Sequence, residues 1–338
     1  MTSVLDRPET DVAAPDPADE PVVADPGVVA SDGSKVGSPA VAKLAILWVV
    51  VTVLVMGIVL YAVEPMFQQR TQGMLLDEYR TSVDMAANQS TGLGGVEASV
   101  DAPEIGSPVG ILEIGPIGLQ QVIVEGADSH TTQNGPGHVP GTAGPGQPGN
   151  AVVVGRGAMF GGPFDGLSRL APGDQFVVTT TQGRTLYEIA DVGPVTITDD
   201  PGASVAPAPE SVLSEGSISL SSLYGTSEDD RLTLVTSASA FPWNTGDAEV
   251  VIAVMKGKPF APTPQNGRSL EQTGLTGDTT RWPLVLLSFL CLGAAVVAAV
   301  VLYRRSSPKI AYLLTVPALL AFALVASENF SLMLPAWS

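Results

Sequence analysis

Three long runs of apolar residues stand out along the chain because each continues without a charged side chain. They are Leu44–Val63, Leu284–Tyr303 and Ile310–Ala326. A helix of about 20 apolar residues, rising ~1.5 Å per residue, crosses the hydrocarbon core of a bilayer. We therefore predict three transmembrane helices. The last contains Pro317, which neighbouring helices or side chains can accommodate by satisfying the freed carbonyl.

Between the first and second apolar runs, the pattern changes to short β-forming stretches separated by Gly and Pro. About eight such stretches predict a small β-barrel or sandwich over residues 108–258. The predicted strands are Val109–Ile114, Leu119–Glu125, Ala151–Gly155, Gln175–Thr180, Thr185–Val192, Pro194–Thr198, Leu232–Thr236 and Glu249–Met255.

The remaining segments have the composition of tails, linkers and loops. Residues 1–40 are acidic, rich in Pro and Ala and free of aromatic residues, which predicts a disordered tail. Residues 64–107 carry a helical pattern over Met66–Ala87 and then become rich in Gly and Ser, so we predict a juxtamembrane helix and a linker. Residues 259–281, rich in Pro, Gly and Thr, are predicted to tether the β domain. The insert 199–230 is either a lid or a partner contact.

The charges flanking the apolar runs predict an orientation in the membrane. The short loop between the second and third runs contains Arg304, Arg305 and Lys309, and such basic loops face the cytoplasm. Counting back along the chain, the β domain is then extracellular and the N-terminal tail is cytoplasmic. The predicted location is the plasma membrane, with several crossings and the stub after the third run outside.

Overall composition excludes several functional classes. A net charge of −18 argues against nucleic-acid binding, which needs concentrated Lys and Arg. The single cysteine, Cys291, lies in the second apolar run and excludes an internal disulfide framework. None of the three runs carries an ionisable acid or base, whereas transporters usually place such residues in the membrane.

A series of short motifs crosses the predicted β domain in a definite order. In sequence these are Ile111–Leu119, Val122–Gly126, Gly135–His138, Gly141–Thr142, Pro145–Asn150, Val152–Gly155, Gly161–Phe164, Pro172–Asp174 and Leu232–Thr236. Their order and spacing over Leu112–Met255 resemble the sortase family, most closely the actinobacterial class E type. The resemblance implies a mainly β fold, a closed barrel of about eight strands.

The same resemblance implies a chemistry, and the chain departs from it at every catalytic position. Sortases cleave a sorting signal of an exported protein with a Cys nucleophile, a His that transfers protons and an Arg that stabilises the developing charge. Here Ser237 stands at the position of the Cys. Arg156 stands at that of the His, and the stretch Asn244–Val250 before the last strand contains no basic residue. Three vacancies together indicate that the activity is absent.

Each candidate residue also has a plainer interpretation. Ser237 would be a nucleophile only with an adjacent base, and otherwise it is a small polar residue ending a strand. Arg156 would bind a carboxylate or phosphate in the former cleft, or be a surface or ion-paired side chain. His138 is a candidate binding residue or a structural hydrogen-bonding group, and Thr236 is a candidate binding residue beside Ser237. No cofactor and no metal site are expected.

We favour a membrane-anchored, catalytically inactive sortase-like protein. Its extracellular domain would bind a peptide, a cell-wall-associated protein or a membrane partner reached through the transmembrane helices. One alternative is a serine-dependent peptidase or transpeptidase that uses Ser237. The other is a structural subunit of the cell envelope in which the β domain is a spacer.

Overall fold

The computed structural model describes residues 39–89, 101–198, 216–239, 246–264 and 272–338. Parts of the predicted features therefore lie outside the described residues: nearly all of the acidic tail, residues 90–100 of the linker, residues 199–215 of the insert 199–230, residues 265–271 of the tether and the first two residues of the stretch Asn244–Val250. Contacts group the chain into two units, Met1–Lys43 and Leu44–Ser338. Of the first unit only the start of a helix is described, and the account below concerns the second.

The described chain contains three long helical segments and one short helix. Helix α1 (Pro39–Ile58) continues through a π-helical turn (Val59–Val63) into α2 (Glu64–Gln89), and the short α3 covers Leu220–Leu223. Helix α4 spans Trp282–Arg305 and α5 spans Pro308–Met333. Among the described residues, three helices are long and apolar enough to cross a membrane: Ile46–Met85, Thr279–Arg305 and Lys309–Met333. The third apolar helix thus continues seven residues past the end of the predicted span, as far as Met333.

Nine strands make up the part of the β domain that the structure describes. They are β1 (Pro108–Ile114), β2 (Leu119–Glu125), β3 (Gly137–His138), β4 (Asn150–Val154), β5 (Gln175–Thr180), β6 (Gly183–Thr198), β7 (Ser217–Ser219), β8 (Arg231–Ser237) and β9 (Asp247–Lys256). The sheet order is β5-β1-β2-β3-β4-β8-β9-β6-β7, and β5 also pairs with β6. Eight strands therefore close a barrel, with β7 added beside β6. The predicted mainly β, closed barrel with three membrane-length helices is confirmed.

Strand β6 corrects one detail of the sequence prediction. Thr185–Val192 and Pro194–Thr198 were predicted as two strands because Pro rarely occurs inside a sheet. In the structure they form one strand whose side chains alternate between buried and exposed faces. Its register places β5 against residues 183–188 and β7 against residues 196–198. Pro194 pairs with Glu249 of β9 on one edge and falls between the two pairings on the other edge, towards which its nitrogen points, so no ladder hydrogen bond among the described residues requires its missing N–H.

Apolar side chains fill the barrel and cover its outer face. The largest cluster joins alternate residues of β1, β4, β5, β6, β8 and β9, with Phe176 stacked 5.5 Å from Tyr187. A second cluster, which includes Val154, Val235 and Leu275, lies on the other side of β4, β8 and β9 and contains the fully buried Trp337. The residues after α5 therefore pack against the β domain instead of ending as a free stub.

Helix α2 is also attached to the barrel. The Gln72 side chain accepts a hydrogen bond from the Val122 N–H at 2.7 Å and donates to the Asn134 carbonyl at 2.7 Å. The Tyr79 hydroxyl donates to the Thr179 carbonyl at 3.0 Å. The described parts of the predicted tether run along the barrel, since Phe260 N–H bonds to the Gly146 carbonyl at 2.9 Å. These contacts fix the orientation of the β domain on its membrane helices.

Candidate functional site

Two neighbouring parallel strands place the main candidate residues at the same edge of the barrel. Strands β4 and β8 are paired with Val154 opposite Val235, and the Gly155 N–H donates to the Val235 carbonyl at 3.0 Å. Because parallel strands end at the same edge, the residue that follows β4 and the last residue of β8 lie close together. Arg156 and Ser237 occupy these two positions.

Arg156 is fully buried, which the sequence did not indicate. Its Nη2 donates to the Ser129 carbonyl at 2.9 Å, and its Nη1 donates to the Ser338 hydroxyl at 3.3 Å. The guanidinium carbon lies 4.8 Å from the centre of the Phe160 ring, in cation–π geometry. Among the described residues its Nε has no hydrogen-bond partner.

The position of the Phe160 ring depends on an uncommon backbone conformation. Phe160 has a φ of +53°, in the left-handed region that a bulky residue rarely adopts, and the next residue, Gly161, has a φ of +78°. Such conformations cost free energy and persist where surrounding packing imposes them, often at functional sites. Here the turn brings the ring beneath the guanidinium of Arg156.

The charge on Arg156 is maintained despite its burial. Loss of hydration lowers the pKa of Arg156 to about 10, and the nearby Glu64 carboxylate opposes this by raising it. A pKa of about 10 leaves the guanidinium protonated at neutral pH. Arg156 therefore supplies a fixed positive charge and cannot accept a proton as the histidine of the resembled family would.

Glu64 links the guanidinium of Arg156 to helices α2 and α5. It lies at the start of α2, is buried, and accepts a hydrogen bond at Oε1 from the Ser327 hydroxyl of α5 at 2.9 Å. Its Oε2 has no hydrogen-bond partner among the described residues. Glu64 lies one residue beyond the first predicted apolar run, and nothing in the local sequence indicates its contact with α5.

Ser237 is only partly buried, and the hydrogen bonds that its hydroxyl makes within the described residues are to the backbone of Ser239, not to a titratable side chain. Its hydroxyl accepts from the Ser239 N–H at 3.2 Å and donates to the Ser239 carbonyl at 3.4 Å. On the next strand, Glu249 lies opposite Thr236, and burial raises the pKa of the Glu249 carboxyl. The hydroxyl of Ser237 thus closes a local turn, in a geometry that does not activate it as a nucleophile.

A peptide segment of the chain itself lies between these two positions. Residues Leu334–Ser338, which we call the docked segment, follow α5. The Trp337 carbonyl accepts from the N–H groups of Gly157 at 3.2 Å and Ser237 at 3.1 Å, and the Thr236 hydroxyl lies 3.5 Å from it. The Ala336 N–H donates to the Gly274 carbonyl at 2.9 Å. The docked segment therefore occupies the groove between Arg156 and Ser237.

His138 lies in a different environment. Its Nδ1 is 2.7 Å from Glu125 Oε2, and its Nε2 is 2.8 Å from the Ala143 carbonyl and 3.2 Å from the Thr142 hydroxyl. Both ring nitrogens are engaged in holding the loop after β3, and neither contacts Arg156 or Ser237. Of the candidates predicted from the sequence, the structure brings together Arg156, Thr236 and Ser237 and leaves His138 outside.

Several residues of this site were not predicted. Ser129, Glu64, Trp337 and Ser338 come from distant parts of the chain, and short motifs do not reveal such long-range contacts. One sequence signal was available, because Pro335 stops α5 and is followed by a tryptophan that needs an apolar environment. No group of three or more His, Cys, Asp or Glu residues with metal-binding geometry occurs among the described residues.

Comparison with known proteins finds one family model that matches the β domain. The Sortase domain family model matches residues 112–255. Similar solved structures include a Clostridium perfringens sortase D5 transpeptidase, at 19% identity, with 56% of this chain and 99% of that chain covered and a TM-score of 0.42. The Streptomyces coelicolor sortase E1, solved with a tripeptide in the active site, gives 25% identity, 50% and 98% coverage and a TM-score of 0.36.

A Clostridium perfringens sortase C, solved with the C-terminal cell wall sorting motif, gives 16% identity, 54% and 88% coverage and a TM-score of 0.36. No curated protein matches the chain. The β domain is thus a sortase-like domain, and it is accompanied by three helices with the length and composition of membrane spans.

Proposed function

We propose that this chain is a membrane-anchored, catalytically inactive relative of the actinobacterial class E sortases. Its extracellular β domain binds a peptide segment of an envelope protein or membrane partner in the groove between Arg156 and Ser237. One observation carries the proposal: the docked segment, itself a peptide, lies in this groove and is held by the N–H groups of Gly157 and Ser237. The groove thus has the groups needed to hold a peptide backbone.

The chemistry of the groove supports binding without turnover. A thioester mechanism needs a thiol, and the only cysteine, Cys291, lies in α4, remote in sequence from both strand ends. A proton-transferring group near Ser237 is also missing among the described residues, since Arg156 remains protonated at neutral pH. A serine hydroxyl without a base is a poor nucleophile, which disfavours the serine-dependent alternative.

The proposed orientation in the membrane also has structural support. The docked segment contacts the β domain, so the chain returns to the side of the β domain after α4 and α5. If each helix crosses the membrane once, the turn between them lies on the opposite side. That turn is flanked by Arg304, Arg305 and Lys309, and basic turns of this kind face the cytoplasm. The β domain then lies outside the cell, in contact with envelope components.

Labelling and cleavage assays on the full chain in detergent test the loss of activity. The chain is incubated with a fluorophosphonate probe and, separately, with sorting-motif peptides and an amine acceptor. We expect no cleavage and no labelling that depends on Ser237. The matched control is Ser237→Ala, which retains the N–H that binds the Trp337 carbonyl. Probe labelling or cleavage that disappears in Ser237→Ala would establish a serine enzyme and refute the proposal.

A second experiment tests whether the β domain can still support sortase-type cleavage. The double variant Arg156→His with Ser237→Cys places an imidazole and a thiol at the two strand ends. We expect thiol-dependent cleavage to remain weak, because the stretch 244–250 supplies no basic residue to stabilise the developing charge. Efficient cleavage by the double variant would show that two substitutions alone separate this chain from an active enzyme.

A further inference from the structure

The docked segment is held mainly through its backbone. The Trp337 carbonyl accepts two N–H groups, the Ala336 N–H donates to Gly274, and the Leu334 carbonyl accepts from the Ser129 hydroxyl. Because every peptide carries the same backbone groups, most of these bonds are available to another peptide lying in the same groove. Recognition that depends on side chains comes from the fully buried Trp337 ring, from Leu334, which packs with Met159 and Phe160, and from the Ser338 hydroxyl.

The fit of the docked segment is incomplete. The buried Nε1 of Trp337 and the Nε of Arg156 have no hydrogen-bond partner among the described residues. A buried donor that loses water without gaining an acceptor costs free energy. A different peptide that offers an acceptor to the Arg156 Nε would avoid this cost, so the present occupant is not the best possible ligand of the groove.

The point at which the segment leaves α5 is well defined. The Asp278 N–H donates to the Leu332 carbonyl at 2.9 Å, and a Cβ placed on Gly277 would lie only 2.0 Å from the Met333 carbonyl oxygen. The last turn of α5 is thus in close contact with the backbone of residues 277–278. Pro335 then prevents the helix from continuing. The docked segment can leave the groove while α5 keeps its place.

We propose that the docked segment is a displaceable internal ligand that closes the groove until a peptide binds in its place. The proposal rests on the proposed function, since it requires the groove to bind peptides. The competing ligand is an extended peptide with an aromatic residue at the position of Trp337. Covalent attachment gives the docked segment an effective concentration in the millimolar range, so a free peptide making equal contacts displaces half of it at about 1 mM.

The first measurement uses Trp337 as a reporter in the full chain. The substitutions Trp48→Phe, Trp243→Phe and Trp282→Phe leave it as the single tryptophan of the four in the chain. We expect its fluorescence to be protected from acrylamide. Adding the peptide Lys-Lys-Leu-Pro-Ala-Phe-Ser, which carries no tryptophan, should expose Trp337 with a midpoint near ~1 mM.

The second measurement removes the internal ligand. A dye-labelled form of the same peptide should bind the Trp337→Ala chain at least ~10-fold more tightly than the wild type, because the competing effective concentration is lost. Trp282→Ala is the matched control: Trp282 lies exposed at the start of α4, and its removal should leave peptide binding at the wild-type level. Ala336→Pro, which removes the N–H that bonds to Gly274, is the milder variant and should change affinity in the same direction.

Two results would overturn this inference. One is a Trp337 that is freely quenched without any peptide, because the segment would then not occupy the groove. The other is a Trp337 that stays protected at all peptide concentrations. If the folded Trp337→Ala and Ala336→Pro chains then bind the peptide, only the displacement is refuted; if they bind none, the proposed function is refuted as well. Both readouts are independent of cleavage, and Ser237-dependent cleavage would refute the proposed function alone.

Discussion

Two buried polar clusters of the β domain differ in how completely their atoms are hydrogen-bonded. The His138 cluster comprises Glu125, His138 and Thr142, and both imidazole nitrogens have partners within 3.2 Å. The Arg156 cluster comprises Glu64, Gln68, Arg156 and Trp337. Each of its four members has a buried polar atom without a partner among the described residues.

This difference in hydrogen bonding separates a cluster that stabilises the fold from a cluster that can bind a ligand. Buried polar atoms are normally satisfied, so a cluster that is fully bonded is explained by the stability it gives the fold. Unsatisfied atoms gathered in one place need another explanation, such as a ligand whose place the docked segment fills incompletely. Gln68 is one such residue. Its side chain lies against Gly161 in the turn beside Arg156, and its amide nitrogen has no hydrogen-bond partner among the described residues.

The largest expected effect comes from removing the polar group of each cluster while keeping its approximate volume. His138→Leu leaves the buried Glu125 carboxylate without its imidazole, and breaking such a pair costs about 3–5 kcal/mol of unfolding free energy. Arg156→Met loses two hydrogen bonds and leaves the Glu64 carboxyl without the nearby guanidinium charge, but it also removes an unsatisfied buried donor, so the expected cost is smaller, about 2–3 kcal/mol. Guanidinium titration of the full chain in detergent, followed by circular dichroism, measures both. Equal losses of unfolding free energy in the two variants would contradict the difference proposed between the two clusters.

The second effect concerns the attachment of α5 beside the Arg156 cluster. Gly277→Ala places a Cβ 2.0 Å from the Met333 carbonyl oxygen, and relieving such a clash typically costs about 1–3 kcal/mol. Gly115→Ala is the matched control, since no atom lies within 4 Å of its Cβ position. We expect Gly277→Ala to lower the unfolding temperature and to expose Trp337 to acrylamide, whereas Gly115→Ala should do neither. An unchanged Trp337 in Gly277→Ala would mean that the segment docks independently of α5.

The sequence predicted the fold well because local patterns determine most of it. Apolar runs without charge identified the three membrane-length helices, and Gly- and Pro-bounded stretches identified most of the barrel strands. The two-residue strand β3 and the short β7 were missed because so few residues carry no periodicity. The long β6 was divided at Pro194, since the sequence does not show that this position faces a gap between β5 and β7.

The candidate site was predicted only in part, for a physical reason. Arg156, Thr236 and Ser237 were identified because they follow motifs on adjacent strands. The burial of Arg156 was not foreseen, since it depends on Glu64, Ser129 and Ser338, which are far away in the sequence. The residues after Ala326 were interpreted as a stub, whereas α5 continues to Met333 and the docked segment packs in the groove. No local pattern in these residues indicates that docking. Contacts between distant segments follow from packing and cannot be inferred from local composition.

A smaller effect is expected from the aromatic ring that lies under Arg156. Phe160→Leu keeps an apolar side chain but removes the ring, and a desolvated cation–π contact contributes about 1–2 kcal/mol. The contact is a feature of the Arg156 cluster, since the guanidinium carbon lies 4.8 Å from the centre of the Phe160 ring. We expect a modest loss of unfolding free energy and weaker protection of Trp337. If stability falls while Trp337 remains fully protected, the ring supports the turn at Phe160 and not the groove.

The smallest expected effect belongs to Ser237. Its hydroxyl makes one pair of contacts with Ser239, at 3.2 and 3.4 Å, and the side chain is partly accessible to water. Ser237→Ala should therefore change the unfolding free energy by no more than about 0.5 kcal/mol. Because the alanine variant retains the N–H that binds the Trp337 carbonyl, the docked segment should remain as protected as in the wild type. A large loss of Trp337 protection in Ser237→Ala would show that the hydroxyl, and not the backbone, holds the groove closed.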